Sequence, residues 1–450
     1  MVGVESSDAD KGISTTHWVG PALALTMLGI YFGRDTGYLG GIVSWSLILW
    51  ALFAAFLSAA VLVRGVRFAR HQSLHFAWWT LPVFVGAGQA LVAAHLPLEA
   101  WDAFDFWAFS GDRFFGHFLD ERYRLVDYEF STIDGRHSPL IPLFIGWLSR
   151  GSNFLGGHVS VVGIVWVVTL HATAWTICKF LVDVQRCRRE AAALIYLIFI
   201  TTPILENHAL RYAYSELPTL FLLSSSMSCF VLALRRMYAK DFILGLLNLL
   251  ALAYVRNTGI IFATIMLLAL AFTFLLYSAR SGATLAKARL SRRQMSYIVV
   301  VMAGVCFIGL TFLFQNPFGD LMVVGKRLGD FSLPFVKVSE YALHIFFKNA
   351  SFNVLFLAAS VFLLSALAKS SWEAWEALIL FAFLATALVC LVGVFGPEYS
   401  RLRAAPGNDI GGTRWFMALV PLVFYMAAFL PGHVLIGVRG EQARSRGSRY

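Results

Sequence analysis

The stretch FAWWTLPVFVGAGQALVAAHLPLEAWDAFDFWAFSGDRFFGHFLDE, residues 76–121, decides the class of fold. Residues 76–96 form an apolar run long enough to cross a bilayer as one helix. Asp102 and Asp105 follow where the chain leaves the lipid, wrapped in Trp101, Phe104, Phe106 and Trp107. If this part is helical, the two acids are i and i+3 neighbours on one face. Phe104, Trp107, Phe114, Phe115 and Phe118 make a second stripe at helical spacing. The pattern predicts a helix in the headgroup plane, its aromatic face in lipid and its carboxylates at the water boundary. Partial desolvation at such a boundary strengthens a carboxylate as a proton acceptor. The plainer reading is an ordinary interfacial helix with solvated acids, and spacing alone does not choose between them.

Outward from this stretch the same pattern recurs. The 450-residue chain is 58% hydrophobic and only 14% charged, with a mean hydropathy of +0.70. A soluble domain is about 25% charged. Apolar runs fall at 18–32, 40–63, 76–96, 158–181, 191–205, 213–234, 241–255, 258–277, 296–315, 350–368, 374–395 and 413–436. The expected fold is therefore all-α and polytopic, with roughly twelve crossings and interfacial helices in the outer loops. LIPLFIGWL (140–148) is short and follows Pro139, so it reads as a re-entrant or interfacial helix. Residues 1–75 add two helices to a core at 76–280, 281–436 supply further crossings, and 437–450 are a basic tail.

The net charge of +10 does not point to nucleic acid, because the basic residues sit in short turns between apolar runs. RGVRFARH (64–71), DVQRCRRE (183–190), RRMYAKD (235–241), ARSGATLAKARLSRR (279–293) and the C-terminal tail fall on one side. The positive-inside rule makes that side cytoplasmic, with both termini inside. The acidic N-terminus lacks the basic region of a cleavable signal, so the first helix is expected to be retained. The outer loops are then 98–158, 316–349 and 396–414. Cys178, Cys187, Cys229, Cys306 and Cys390 lie in apolar runs or basic turns and read as packing residues, not a disulfide or metal framework.

Further candidates lie on the same outer face. Arg136 and His137 precede a Pro-broken return to lipid, and an arginine fork suits phosphate. Tyr214 and Glu216 open an outer helix end in RYAYSELPTLFLL. An acid beside an apolar run is a functional candidate by default, although a Glu216–Arg211 surface pair would contribute little. Arg256 and Asn257 interrupt ALAYVRNTGIIF at an expected hairpin tip. A buried cation there needs an anion such as a lipid phosphate, unless Arg256 snorkels to the headgroups. Arg401, Arg403 and Arg414 are phosphate candidates in the third loop. No Walker loop, dinucleotide fingerprint or HExxH motif occurs.

The order of Trp101-Asp102-Ala103, His137-Ser138-Pro139-Leu140, Tyr214-Ser215-Glu216-Leu217-Pro218 and Arg256-Asn257-Thr258-Gly259 resembles the GT-C superfamily of membrane glycosyltransferases. That group includes protein O-mannosyltransferases and lipid A aminoarabinose transferases. The resemblance covers roughly residues 76 to 280. Glu216 stands where an Asp is usual and Thr258 where a Glu is usual. The resemblance implies an inverting transfer of a sugar from a polyprenyl-phosphate donor to a hydroxyl of a glycan, lipid or protein. It makes Asp102 the base, and gives Asp105 the acceptor or a divalent cation, magnesium or manganese, with the need for metal left open. Arg256, with Arg136 or Arg414, would neutralise the departing phosphate. Loop lengths, size and motif style point to a bacterial plasma membrane with the site outside. Two other classes compete: a transporter or flippase, and an O-antigen polymerase or ligase.

Overall fold

The computed structural model describes residues 19–33, 76–95, 140–154, 160–185, 187–212, 214–236, 239–255, 257–280, 352, 355–369, 372–393 and 416–430. These are helical, with no strand among the described residues. In chain order they are α1 (Val19–Gly33), α2 (Phe76–His95), α3 (Leu140–Phe154), α4 (Val161–Asp183), α5 (Arg189–Ile200), α6 (Pro203–Asn207), a π turn (His208–Tyr212), α7 (Glu216–Arg236), α8 (Ala239–Val255), α9 (Asn257–Arg280), α10 (Leu355–Ala368), α11 (Ala374–Gly393) and α12 (Leu419–Met426), which tightens into a 3-10 turn at Ala427–Phe429.

Three of these helices, α4, α7 and α9, are long and apolar enough to cross a membrane; α5 with α6 makes a fourth if that bent pair is one span. The other apolar helices are shorter. The expected runs at 40–63 and 296–315 lie outside the described residues.

α7 is the axis of the assembly. Every residue from Glu216 to Ala233 is buried, including Ser224, Ser225, Ser226 and Ser228. A helix enclosed on all sides must satisfy its polar groups internally. Ser226 donates to the Gly245 carbonyl at 3.2 Å, and the Asn248 amide donates to Ser225 Oγ at 3.0 Å. Tyr425 donates to the Ser224 carbonyl at 2.9 Å, so at 2.6 Å its oxygen accepts from the Ser228 hydroxyl. Small side chains also let neighbours approach closely: α1 reaches α7 and α8 at Gly20, beside Ser225 and Asn248.

From α4 to α9 the long helices alternate in direction. α7 and α8 pair antiparallel through the serine contacts and through Phe230 on Phe242, ring centroids 6.0 Å apart. α8 and α9 form a hairpin: Phe242 stacks on Phe274 at its open end, and Gly259 lies against the Leu252 carbonyl at its tip. α4 runs parallel to α7, because Trp166 meets Tyr214 while Phe180 meets Tyr425, which is bonded to Ser228. Arg188, Arg189, Arg235, Lys240 and Lys369 therefore lie at or beside helix termini at one end of the bundle. There Arg235 donates to the Val184 carbonyl at 3.3 Å and Lys369 pairs with Glu376.

The structure adds detail to two expectations. The run at 191–205 is not one straight crossing: it bends by 58° between Ile200 and Pro203. Thr201, Thr202 and Pro203 end α5, since threonine hydroxyls bond back to the preceding turn and proline has no N–H to continue it. The segment 140–148, expected to be a re-entrant or interfacial helix, is enclosed by protein. Every residue from Leu140 to Leu148 is buried, in contact with α1, α4 and α8.

Candidate functional site

The end opposite the basic residues holds Tyr214 and Glu216, together with the described helix ends nearest in the chain to the other segments that the sequence singled out. α2 stops at His95, seven residues before Asp102. Its last turn is pinned to the start of α4: the Ser160 N–H donates to the Ala94 carbonyl at 2.9 Å. The Ser160 hydroxyl caps α4 by accepting from the Gly163 N–H at 3.1 Å. Gly163 is required here, since a Cβ would stand 2.3 Å from the Ala93 carbonyl oxygen. The first turn of α3, directly after Pro139, lies at the same end, with Phe144 packed on Trp166 at 6.1 Å. The chain between α2 and α4 thus leaves and returns at one place.

Trp166 also fixes the next segment. Its indole Nε1 donates to the Tyr214 carbonyl at 2.8 Å, both groups buried. Tyr214 is packed edge-on against the buried His208 ring at 5.2 Å, which follows from the π turn that carries His208. Glu216 sits in the first turn of α7 and is only 7% exposed. A carboxylate at a helix N-terminus is favoured by the dipole. Arg211, on the π turn, is exposed.

The antiparallel register of α7 and α8 brings Glu216 level with Val255, the last residue of α8, and hence with the tip that Asn257 begins. Gly259 has a packing reason: a Cβ would lie 2.0 Å from the Leu252 carbonyl oxygen, so only glycine lets the hairpin close this tightly. α12 starts beside α10, Phe416 against Phe356 at 6.3 Å, away from the Lys369–Glu376 corner. Arg414 stands two residues before Phe416.

Of the predicted site residues, Tyr214 and Glu216, two positions apart in the chain, are buried at this end, and Asn257 begins α9 at their level. Asp102, Asp105, Arg136, His137, Arg256 and Arg414 lie outside the described residues. So do Arg401 and Arg403. No cluster of three or more His, Cys, Asp or Glu side chains suited to a metal occurs among the described residues. Cys178, Cys187, Cys229 and Cys390 are buried free thiols.

A second polar group was not singled out in the sequence. Gln89, His171, Tyr196 and Glu206, from α2, α4, α5 and α6, form one hydrogen-bonded chain among apolar helices. The signal was a lone Gln and a lone His inside long apolar runs, where each polar group needs a partner.

No protein family, curated protein or solved structure matches the chain.

Proposed function

We propose that the protein is a polytopic membrane glycosyltransferase that moves a sugar from a polyprenyl-phosphate donor to a hydroxyl of a glycan, lipid or protein acceptor. The observation that carries this reading is the common end from which the motif segments emerge. His95, Leu140, Tyr214, Val255 and Phe416 mark where the described helices begin or stop at that end, the end that also holds the buried Glu216. That juxtaposition is what a two-substrate site assembled from distant segments requires. A membrane setting is supported by the helix surfaces: Leu81, Phe84, Leu91, Leu268, Leu275 and Leu364 are all exposed, an unusual density of apolar side chains for contact with water.

In this reading the chain makes about twelve crossings. The basic turns are cytoplasmic, and the site faces the outer side of a bacterial plasma membrane. Asp102 takes the proton of the acceptor hydroxyl as its oxygen attacks the anomeric carbon. The bond from that carbon to the phosphate oxygen breaks with inversion, and the lipid phosphate leaves with the bonding electrons. Arg256, with Arg136 or Arg414, offsets the charge that develops on it. His137, Tyr214, Glu216 and Asn257 shape the pocket around sugar and phosphate. A divalent cation, if used, would rest on Asp102 and Asp105.

A transporter shares one feature with this chain, the broken helix. Broken helices that bind ions leave backbone carbonyls for the ion; here the carbonyls from Leu197 to Ile200 accept from Thr201, Thr202 and Gln89. The test is sugar transfer by purified protein in lipid vesicles. Asp102→Asn is expected to abolish transfer while insertion and thermal unfolding are unchanged; full activity in that variant refutes the base assignment. A polyprenyl diphosphate product would instead favour a polymerase or ligase, and accumulation in sealed vesicles without bond formation a flippase.

A further inference from the structure

We propose that Gln89 is a latch on the break between α5 and α6, and through it a positioning residue for the Tyr214–Glu216 segment. The proposal concerns the placement of that segment and stands whether or not it handles a lipid-linked sugar.

A helix that stops among apolar neighbours frees carbonyls that must find donors. At this break Leu197 O accepts from the Thr201 N–H at 3.0 Å and its hydroxyl at 2.8 Å, Ile198 O from the Thr202 hydroxyl at 2.8 Å, and Phe199 O from the Thr202 N–H at 3.2 Å. All of those donors are local. Ile200 O, the last carbonyl of α5, is met from another helix, by Gln89 Nε2 at 3.1 Å. The same NH2 group donates to Glu206 Oε1 at 3.0 Å, on the far side of the bend. One buried amide therefore ties the two arms of a 58° break to each other and both to α2.

The amide has one workable orientation. Turned over, its oxygen would face a carbonyl and a carboxylate, two acceptors. With the nitrogen so placed, Gln89 Oε1 accepts from His171 Nε2–H at 2.9 Å. His171 Nδ1 is then left to accept from the Tyr196 hydroxyl at 2.8 Å. Every hydrogen along Tyr196, His171, Gln89 and Glu206 has an acceptor, with the imidazole neutral. The ring fits because residue 86 is glycine: a Cβ there would lie 2.6 Å from His171 Cε1. A proton cannot pass from His171 to Glu206 without an amide surrendering its own hydrogen, so the chain holds position and is a poor proton wire.

What it holds is short. From Glu206 the backbone passes directly into the π turn, and His208 of that turn packs on Tyr214. A change of angle at the break moves the start of α7 with it.

The test uses the full chain with its own cysteines replaced, spin-labelled at Val168→Cys on α4 and Asn207→Cys on α6, both exposed positions, and reconstituted in lipid. A reference pair at Leu268 and Leu388 reports on α9 and α11, away from the break. Gln89→Leu is expected to shift and broaden the 168–207 distance distribution while the reference pair is unchanged. Should Gln89→Leu fail to fold, the half-buried Glu206 decides the matter. Glu206→Ala is expected to loosen the break, and Glu206→Gln, which still accepts from Gln89, to keep it. A parent-like distribution in Gln89→Leu or Glu206→Ala overturns the latch. So does loosening in Glu206→Gln equal to that in Glu206→Ala, because charge and not this hydrogen bond would then hold the arms.

Discussion

Tyr214 enters α7 with its carbonyl on the Trp166 indole, and that single bond carries a measurable share of the local order. Trp166→Phe keeps an aromatic ring, smaller than the indole, and leaves a buried carbonyl without this donor. The expected cost is about 1–3 kcal/mol, the range for orphaning a buried polar group, read as a lower unfolding midpoint in a detergent titration. A second residue reports on the opposite end. Cys187 lies in the turn between α4 and α5 with its S–H toward the Arg188 carbonyl. Burial pushes its thiol above the ordinary range, and the nearby Glu190 carboxylate adds to the shift. The thiolate is the form that alkylates, so at mildly basic pH Cys187 should react with iodoacetamide more slowly than an exposed cysteine. The rate should climb as pH rises further, and Glu190→Gln should raise it. An exposed-thiol rate in the native protein would contradict this. The sequence marked Tyr214 and Glu216 as polar groups at an apolar boundary; it could not reveal that Trp166, 48 positions away, holds one of them.

Helix ends and hairpins carry the next level of argument. The α8–α9 tip closes because Gly259 has no side chain, and the obstacle is a backbone atom that cannot rotate away. Gly259→Ala should therefore destabilise the protein by about 1–3 kcal/mol, the usual penalty for overpacking. Gly29→Ala is the control: α1 has nothing within 4 Å of that Cβ, and helix propensity alone predicts a gain of up to about 1 kcal/mol. Paired thermal melts of the two variants separate packing from propensity. Equal effects would mean that the hairpin is looser than described. Periodicity and turn chemistry made the positions of α1, α2, α4, α8 and α11 legible to within a few residues. They did not reveal the bend after Ile200, because an apolar run reads the same whether its helix is straight or broken.

At the scale of the whole molecule, sidedness is the main consequence. Arg188, Arg189, Arg235, Lys240 and Lys369 share one end, and Tyr214 and Glu216 occupy the other. The proposed orientation, which follows the positive-inside rule, puts the first end in the cytoplasm. In a cysteine-free background, Asn207→Cys should react with a membrane-impermeant maleimide on intact cells, and Lys240→Cys only after the membrane is opened. The reverse pattern would put the proposed site in the cytoplasm and remove the outer-leaflet donor from consideration.

The sequence by itself determined the all-helical class, the apolar segments and the sorting of charge to their ends, because each follows from local composition and period. It also marked which short segments between the apolar runs carry acids and cations. Only the tertiary structure decided that 140–148 is enclosed by protein, that α7 is the central helix, and that Gln89, His171, Tyr196 and Glu206 join across four helices. Those outcomes depend on which residues meet over long separations. Hydrogen-bond partners and close backbone approaches of that kind leave no periodic trace in the chain.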